Sequence, residues 1–251
     1  MKALVGTLGI AFLLLGGARL YFALPQRPAD AAAPTPATSG SSALTDAAAS
    51  LAAPHPGLSG IVLLENGSEA FATRMELAEA AAHRIDAQYY SWHDDATGRL
   101  LLHALARAAE RGVRVRLLLD DNGIPGLDDE IAALDRHPNI SVRLFNPFVL
   151  RHPKWAGFLF DFFRLNRRMH NKSFIVDGAV TVVGGRNIGD EYFGTGTTPL
   201  FVDLDVVAIG KVVGDVADAF TRYWHSDAVY PAASILDPPP APQRAADGDH
   251  E

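Results

Sequence analysis

The run His170-Asn171-Lys172-Ser173-Phe174-Ile175-Val176-Asp177, followed six residues later by Gly184-Gly185-Arg186-Asn187, gathers residue types suited to phosphoryl chemistry. His170 and Lys172 stand two apart, so on an extended segment both side chains leave one face of a sheet and set an imidazole beside an ammonium. A phosphodiester bound there meets a nucleophile able to attack phosphorus and form a covalent phosphohistidine. Lys172 and the Asn187 amide then stabilise charge on the non-bridging oxygens. Gly184 and Gly185 are expected to let the backbone approach the phosphate and to offer it N–H groups.

Holding such groups in register requires a layered scaffold, and the chain alternates helix and strand patterns accordingly. Ser68 is expected to cap a helix running to about Arg84, with Phe71, Met75, Ala78 and Ala82 on one face, followed by a strand over Ile85 to Trp92. A second amphipathic helix spans Thr97 to Arg111 and stops at Gly112. Val113 to Leu119 is a nearly continuous apolar run, which marks a strand covered on both faces. A short helix near Leu127 to Asp135 and a strand at Ile140 to Phe145 complete this part. Past Asn146 the pattern reads as a long loop, two short strands around Ser173–Asp177 and Val180–Val183, a strand over Phe201–Ile209 and a helix from Val213 to Trp224. Asp120, Asp121 and Asn122 precede Gly123 and Pro125 and read as turn residues rather than metal ligands. Asp94 and Asp95 read as helix caps, with His93 near the site.

The His170–Asp177 motif resembles the HxK(x)4D signature of the phospholipase D superfamily, with Gly184-Gly185-Arg186-Asn187 in place of the commoner Gly-Ser-x-Asn. The stretches Tyr89-Tyr90-Ser91-Trp92, Asp95-Ala96-Thr97-Gly98-Arg99-Leu100-Leu101, Arg111 to Asp121, Arg143-Leu144-Phe145-Asn146-Pro147 and Gly185 to Phe193 are similar to the bacterial cardiolipin synthase branch, over about Ile61 to Tyr230. The resemblance implies the phospholipase D-type α/β domain, a mixed β-sheet flanked by helices on both faces. It implies phosphatidyl transfer between anionic phospholipids, without metal or nucleotide cofactors. It also implies a carboxylate that orients the nucleophilic imidazole. In the segment Phe201-Val202-Asp203-Leu204-Asp205, Asp203 is the first choice for that role, and Asp177 is expected to support the site structurally.

Members of this superfamily use two such motifs, the second supplying the acid that protonates the leaving oxygen. His152-Pro153-Lys154 is a decoy, because Leu159 stands where the Asp belongs and no Gly-Gly-x-Asn follows. The chain therefore resembles an N-terminal half, expected to be completed by a second motif-bearing half or by a homodimer. A phosphodiesterase or nuclease, and a catalytically incomplete lipid-binding half, are the alternatives.

The 251 residues carry 48% hydrophobic and 20% charged residues and a net charge of -7, a globular composition without general affinity for nucleic acid. Cysteine is absent, which excludes a thiol nucleophile and a Cys zinc site. Residues 1–24 pair Lys2 with a long apolar run, the pattern of a signal peptide or membrane anchor, and place the following domain in the periplasm of a bacterial cell. Residues 25–56, rich in Ala, Pro, Ser and Thr, and the Pro-rich 237–251 are expected to be disordered, leaving 57–236 folded. Between Arg143 and Lys172 lie seven basic residues and one acid, interleaved with Phe148, Trp155, Phe158, Phe160, Phe162 and Phe163. Such a mixture suits a membrane interface, the alternative being aromatics in the core beneath a rim of solvated Arg side chains.

Overall fold

The computed structural model describes residues 2–26, 40–194 and 201–238, with the side chains of 2–6 and 11 excepted. Its strands are β1 (Ser59–Leu64), β2 (Arg84–Tyr89), β3 (Arg114–Asp120), β4 (Ile140–Phe145), β5 (Ser173–Val176), β6 (Val180–Gly184), β7 (Asp205–Gly210) and β8 (Val229–Pro231). They form one mixed sheet in the order β1-β7-β6-β5-β2-β3-β4-β8. Strands β2, β3 and β4 run parallel, whereas β5 joins β2 antiparallel.

The helices are α1 (Lys2–Tyr21), α2 (Ala43–Ala52), α3 (Gly67–Ala80), α4 (Ala96–Glu110), α5 (Asp128–Leu134), α6 (Phe158–Leu165), α7 (Asp190–Phe193) and α8 (Lys211–Trp224). They lie on both faces of the sheet. One face carries the larger core, in which Ile85, Ala87, Leu117, Phe174 and Val182 meet Leu101 and Leu105 of α4 and Ala78 of α3. On the other, Leu118, Ile175, Phe220 and Trp224 form a smaller core under α8. Arg116 crosses that second face, bonded through Nε and Nη2 to the buried Asp86 carboxylate (2.6 and 2.8 Å) and lying over Phe220 and Trp224. A paired guanidinium of this kind keeps Asp86 from being an orphaned buried charge.

Several expectations from the sequence are corrected. Asn66, not Ser68, caps α3, its side chain accepting the Ser68 N–H, and the helix ends at Ala80. The long loop after Asn146 contains α6. Strand β7 begins only at Asp205, so Phe201–Leu204 is irregular. The span 25–56 is not wholly unstructured: α2 forms there, started by a reciprocal Ser42–Thr45 cap, and buries Ala48 against the sheet. The expected disorder of 27–39 and 239–251 lies outside the described residues.

The β5–β6 hairpin explains the motif's Asp. Asp177 and Gly178 take left-handed backbone angles, φ +52° and +65°, which Asp and Gly tolerate better than other residues. The Asp177 carboxylate accepts the N–H groups of Ala82, His83 and Arg84 (3.1, 2.8 and 2.8 Å), pinning the start of β2 against the hairpin at the end of the sheet opposite His170. Its place in the motif is thus a matter of strand register. Asp177→Asn keeps the turn but weakens this acceptor, and we expect a loss of about 1–3 kcal/mol in urea unfolding.

Candidate active site

The chain leaves β2 and β3 at one end of the sheet, where β6 also ends and where β5 and β7 begin. That end is the switch between parallel and antiparallel neighbours, a place where α/β sheets open a crevice for ligands. His170 stands exposed just before β5, and Lys172 is buried, 7% exposed, beside it. The Lys172 Nζ lies 3.1 Å from His170 Nδ1 and 3.2 Å from Nε2, and donates to the His170 carbonyl at 2.9 Å. The Tyr90 ring packs at 5.0 Å from the imidazole and lies 5.8 Å from the ammonium. Burial pulls the Lys172 pKa below its ordinary value, opposed by the negative charges of Asp203 and Asp205.

Asn187 is held at both ends of its amide. Its Oδ1 accepts the Ser91 N–H at 3.0 Å, and its Nδ2 donates to the Tyr192 hydroxyl at 2.9 Å, leaving a second amide hydrogen for a ligand. The two glycines have a role that differs from the expected one. A Cβ on Gly184 would collide with the Asp205 carboxylate, and one on Gly185 with that of Asp203. The Gly185 N–H donates to Leu204 O at 3.1 Å, so it is not free for a phosphate. The glycines thus make room for two carboxylates. Asp203, in the irregular backbone before β7, itself accepts the Leu204 N–H at 2.8 Å and makes no hydrogen bond to His170 among the described residues.

Sequence reasoning missed the buried ionic framework behind these groups. Arg74 of α3 is 1% exposed and donates to Tyr89 Oη, Ala70 O and Asp205 Oδ2 at 2.9, 2.7 and 2.8 Å. Burial opposes its charge, but Tyr89 and Asp205 carry its pKa above the ordinary value. Asp205 also accepts the Arg186 N–H at 3.2 Å, which ties β7 to the Gly-Gly-Arg-Asn turn. A lone Arg in the middle of an amphipathic helix gives no signal of this partnership. His93 pairs with Glu191 at 2.9 Å. Asp95 caps α4 as expected, accepting the Gly98 N–H, while its other oxygen takes the Asp190 N–H.

The basic and aromatic segment departs in part from the alternative of buried aromatics under solvated Arg side chains: Phe148 is buried, but several of the cations are paired. Arg151 and Lys154 pair with Asp121 and Asp128, Arg164 with Asp161, and Arg168 with Asp120. Trp155, Leu159, Phe162 and Phe163 are exposed. Asp120 and Asp121 therefore do more than shape a turn. Asp120 Oδ2 accepts the Met169 N–H at 2.8 Å and Oδ1 takes Arg168 Nη1 at 2.9 Å, anchoring the two residues that precede His170 to the end of β3.

Burial raises the Asp120 pKa to about 6, outweighing Arg168 and the backbone donors. A carboxyl with a folded pKa above its unfolded one binds more protons in the folded state, so stability rises as pH falls through 6. Between pH 7 and 5 the gain from this group is about 1 kcal/mol. We expect Asp120→Asn to shrink the wild-type gain by that amount when urea unfolding is compared at the two values.

The profile of the family described as "Cardiolipin synthase, PLD-like domain" matches residues 75–224. Cardiolipin synthase C of Escherichia coli (strain K12) is 61% identical over 196 residues, 78% of this chain and 41% of that protein. Cardiolipin synthase B of Shigella flexneri is 31% identical over 156 residues, 62% of this chain and 36% of that protein. The chain thus spans well under half the length of these relatives. Among solved structures, phosphatidylserine synthase of Haemophilus influenzae Rd KW20 shares the fold with a TM-score of 0.56 at 18% identity, over 78% of this chain and 44% of that one. NucT from Helicobacter pylori does so with a TM-score of 0.51 at 16% identity, over 69% of this chain and 98% of that one. The sheet order, the His-x-Lys pair at its switch point and the match over residues 75–224 agree, and the chain belongs to the PLD-like domain family of cardiolipin synthases.

Proposed function

We propose that this domain carries the nucleophilic half of a cardiolipin synthase-type phosphatidyltransferase. The observation that carries the reading is the exposed His170 imidazole with the Lys172 ammonium 3.1 Å away, at the sheet end where Asn187 is also fixed. The names and identities of the relatives support a phospholipid substrate.

In this reading, an imidazole nitrogen of His170 attacks the phosphorus of an anionic phospholipid such as phosphatidylglycerol. An N–P bond forms, the bond from phosphorus to the glycerol oxygen breaks, and the leaving alkoxide takes a proton from a second histidine. The hydroxyl of an acceptor lipid then gives its proton to that histidine and attacks phosphorus, breaking the N–P bond and releasing His170. Lys172 and the free hydrogen of the Asn187 amide face the non-bridging oxygens. Asp203 sits near Lys172 and favours its charged state, and we assign it the imidazole-orienting role once substrate is bound, although the unliganded geometry holds it away. Gly184 and Gly185 act through the carboxylates they admit.

The second histidine comes from a second PLD-like motif, in a further half or in a second copy of the chain, and the length of the relatives leaves room for such a half. The domain acts at a bacterial membrane. Residues 1–24, of which Lys2–Tyr21 form α1, serve as anchor or signal segment with the domain in the periplasm. Among the described residues no helix is long and apolar enough to cross a membrane.

His170→Ala should lower cardiolipin formation from phosphatidylglycerol vesicles at least about 10³-fold with folding intact, and Lys172→Ala about 10²-fold or more. Full activity in His170→Ala would overturn the reading. Release of phosphatidic acid or cleavage of single-stranded DNA without cardiolipin would favour a phosphodiesterase instead.

A further inference from the structure

Helix α6 is built inside out. Its inward positions hold Asp161 and Leu165, with Phe158 stacked edge-on to the buried Phe148 at 5.4 Å. Its exposed positions hold Leu159 before a break in the helix at Asp161 (φ -135°, ψ 35°) and Phe162 and Phe163 after it, together an outward apolar stripe, and Phe163 is 81% exposed. Trp155, in the turn before the helix, is 66% exposed. A soluble surface helix normally shows the reverse, and large exposed apolar patches mark interaction sites.

Topology fixes where this stripe sits. The segment that contains α6 leaves β4 and returns as β5, so it lies at the sheet end that carries His170. The irregular residues before β7 open at the same end, and they expose Phe201 and Val202. Exposed apolar side chains therefore stand on two sides of the catalytic histidine.

Charge and continuity name the occupant. On α6 and the segment after it, Asp161 is taken up by Arg164 and Arg19, and Arg168 by Asp120. Arg167 is exposed and makes no ion pair among the described residues, so the unpaired charge beside the stripe is positive although the chain is net -7. That complements an anionic lipid headgroup. Helix α1 and the residue after it pack on α6, through Arg19–Asp161 at 2.9 Å and a Phe22–Phe160 stack at 5.5 Å. Its Leu13, Leu14 and Leu20 are themselves exposed, so the apolar surface of α6 continues along α1.

Building on the proposed function, we infer that Trp155 and the outward stripe of α6 insert into the acyl boundary of an anionic bilayer, lowering the His170 end of the sheet onto the headgroup layer. A phospholipid then presents its phosphate without leaving the membrane. Aromatic side chains of this kind favour that depth.

Tryptophan fluorescence tests this directly, because Trp92 and Trp224 are buried and only Trp155 is exposed. The full chain is mixed with vesicles of phosphatidylcholine and phosphatidylglycerol, with and without brominated acyl chains, and vesicle binding is scored by flotation. The expected result is a blue shift and bromine quenching, both lost in Trp155→Phe. In Phe162→Ser/Phe163→Ser, a Tm within about 3 °C of wild type would show that these exposed positions leave the fold intact. Its Trp155 quenching should fall by more than half and its vesicle turnover by about tenfold, even where α1 still carries it to the vesicles. Unquenched Trp155 in vesicle-bound wild type would overturn the inference. So would Trp155 shielded without lipid in a dimer that the double substitution splits, since the stripe would then seat a second copy. Quenching without turnover would leave the surface standing and put the second histidine on a further half rather than on a second copy; turnover without quenching would overturn the surface and leave the proposed chemistry standing.

Discussion

Burying the guanidinium groups of Arg74 and Arg186 around the Asp205 carboxylate, behind the site, is the constraint on which the rest of this structure depends. Asp205 has no exposure, and a bare carboxylate there would be strongly disfavoured. It persists because Arg74 reaches it from α3 and the Arg186 N–H from the β6–β7 connection. Arg74 in turn bonds Tyr89 at the end of β2. One carboxylate thereby ties together a helix, two strands and the turn that carries Asn187. Gly184 follows from it, since any side chain there would occupy the space of the Asp205 oxygens.

A second anchor works on the other side of His170. Asp120 ends β3, and its oxygens hold the backbone of Met169 and the side chain of Arg168, so the residue after them, His170, projects from a fixed point. Burial opposes its charge strongly enough to raise its pKa to about 6, and the fold tolerates the cost because Arg168 and two backbone donors face it. Positional precision at His170 is thus obtained with charged anchors that a purely stability-driven core would avoid.

The same segment shows how ion pairing decides which side chains meet solvent. Arg151, Lys154, Arg164 and Arg168 all turn toward acids, and Trp155, Phe162 and Phe163 are left outside. Buried acids at the end of β3 and in α6 recruit the cations because each unpaired buried carboxylate would cost more than exposing a Phe ring.

The His170–Lys172 arrangement and the fold class were legible in the residues themselves. The two-residue spacing of His170 and Lys172, the Gly-Gly-Arg-Asn that follows, and the alternation of apolar runs are local properties of the chain, set by backbone periodicity, and they reappear as an exposed imidazole, a neighbouring ammonium and a two-sided mixed sheet. Strand β1 and helix α2 escaped notice because their stability comes from pairing with β7 and packing on it, 150 residues away. Tertiary structure alone decided that the glycines admit carboxylates, that Asp203 accepts the Leu204 N–H, that Arg74 bonds Asp205 behind the site and that Phe162 and Phe163 face outward. Each of these is an outcome of which distant charge lies close enough to compensate a buried one, and no spacing along the chain encodes that distance.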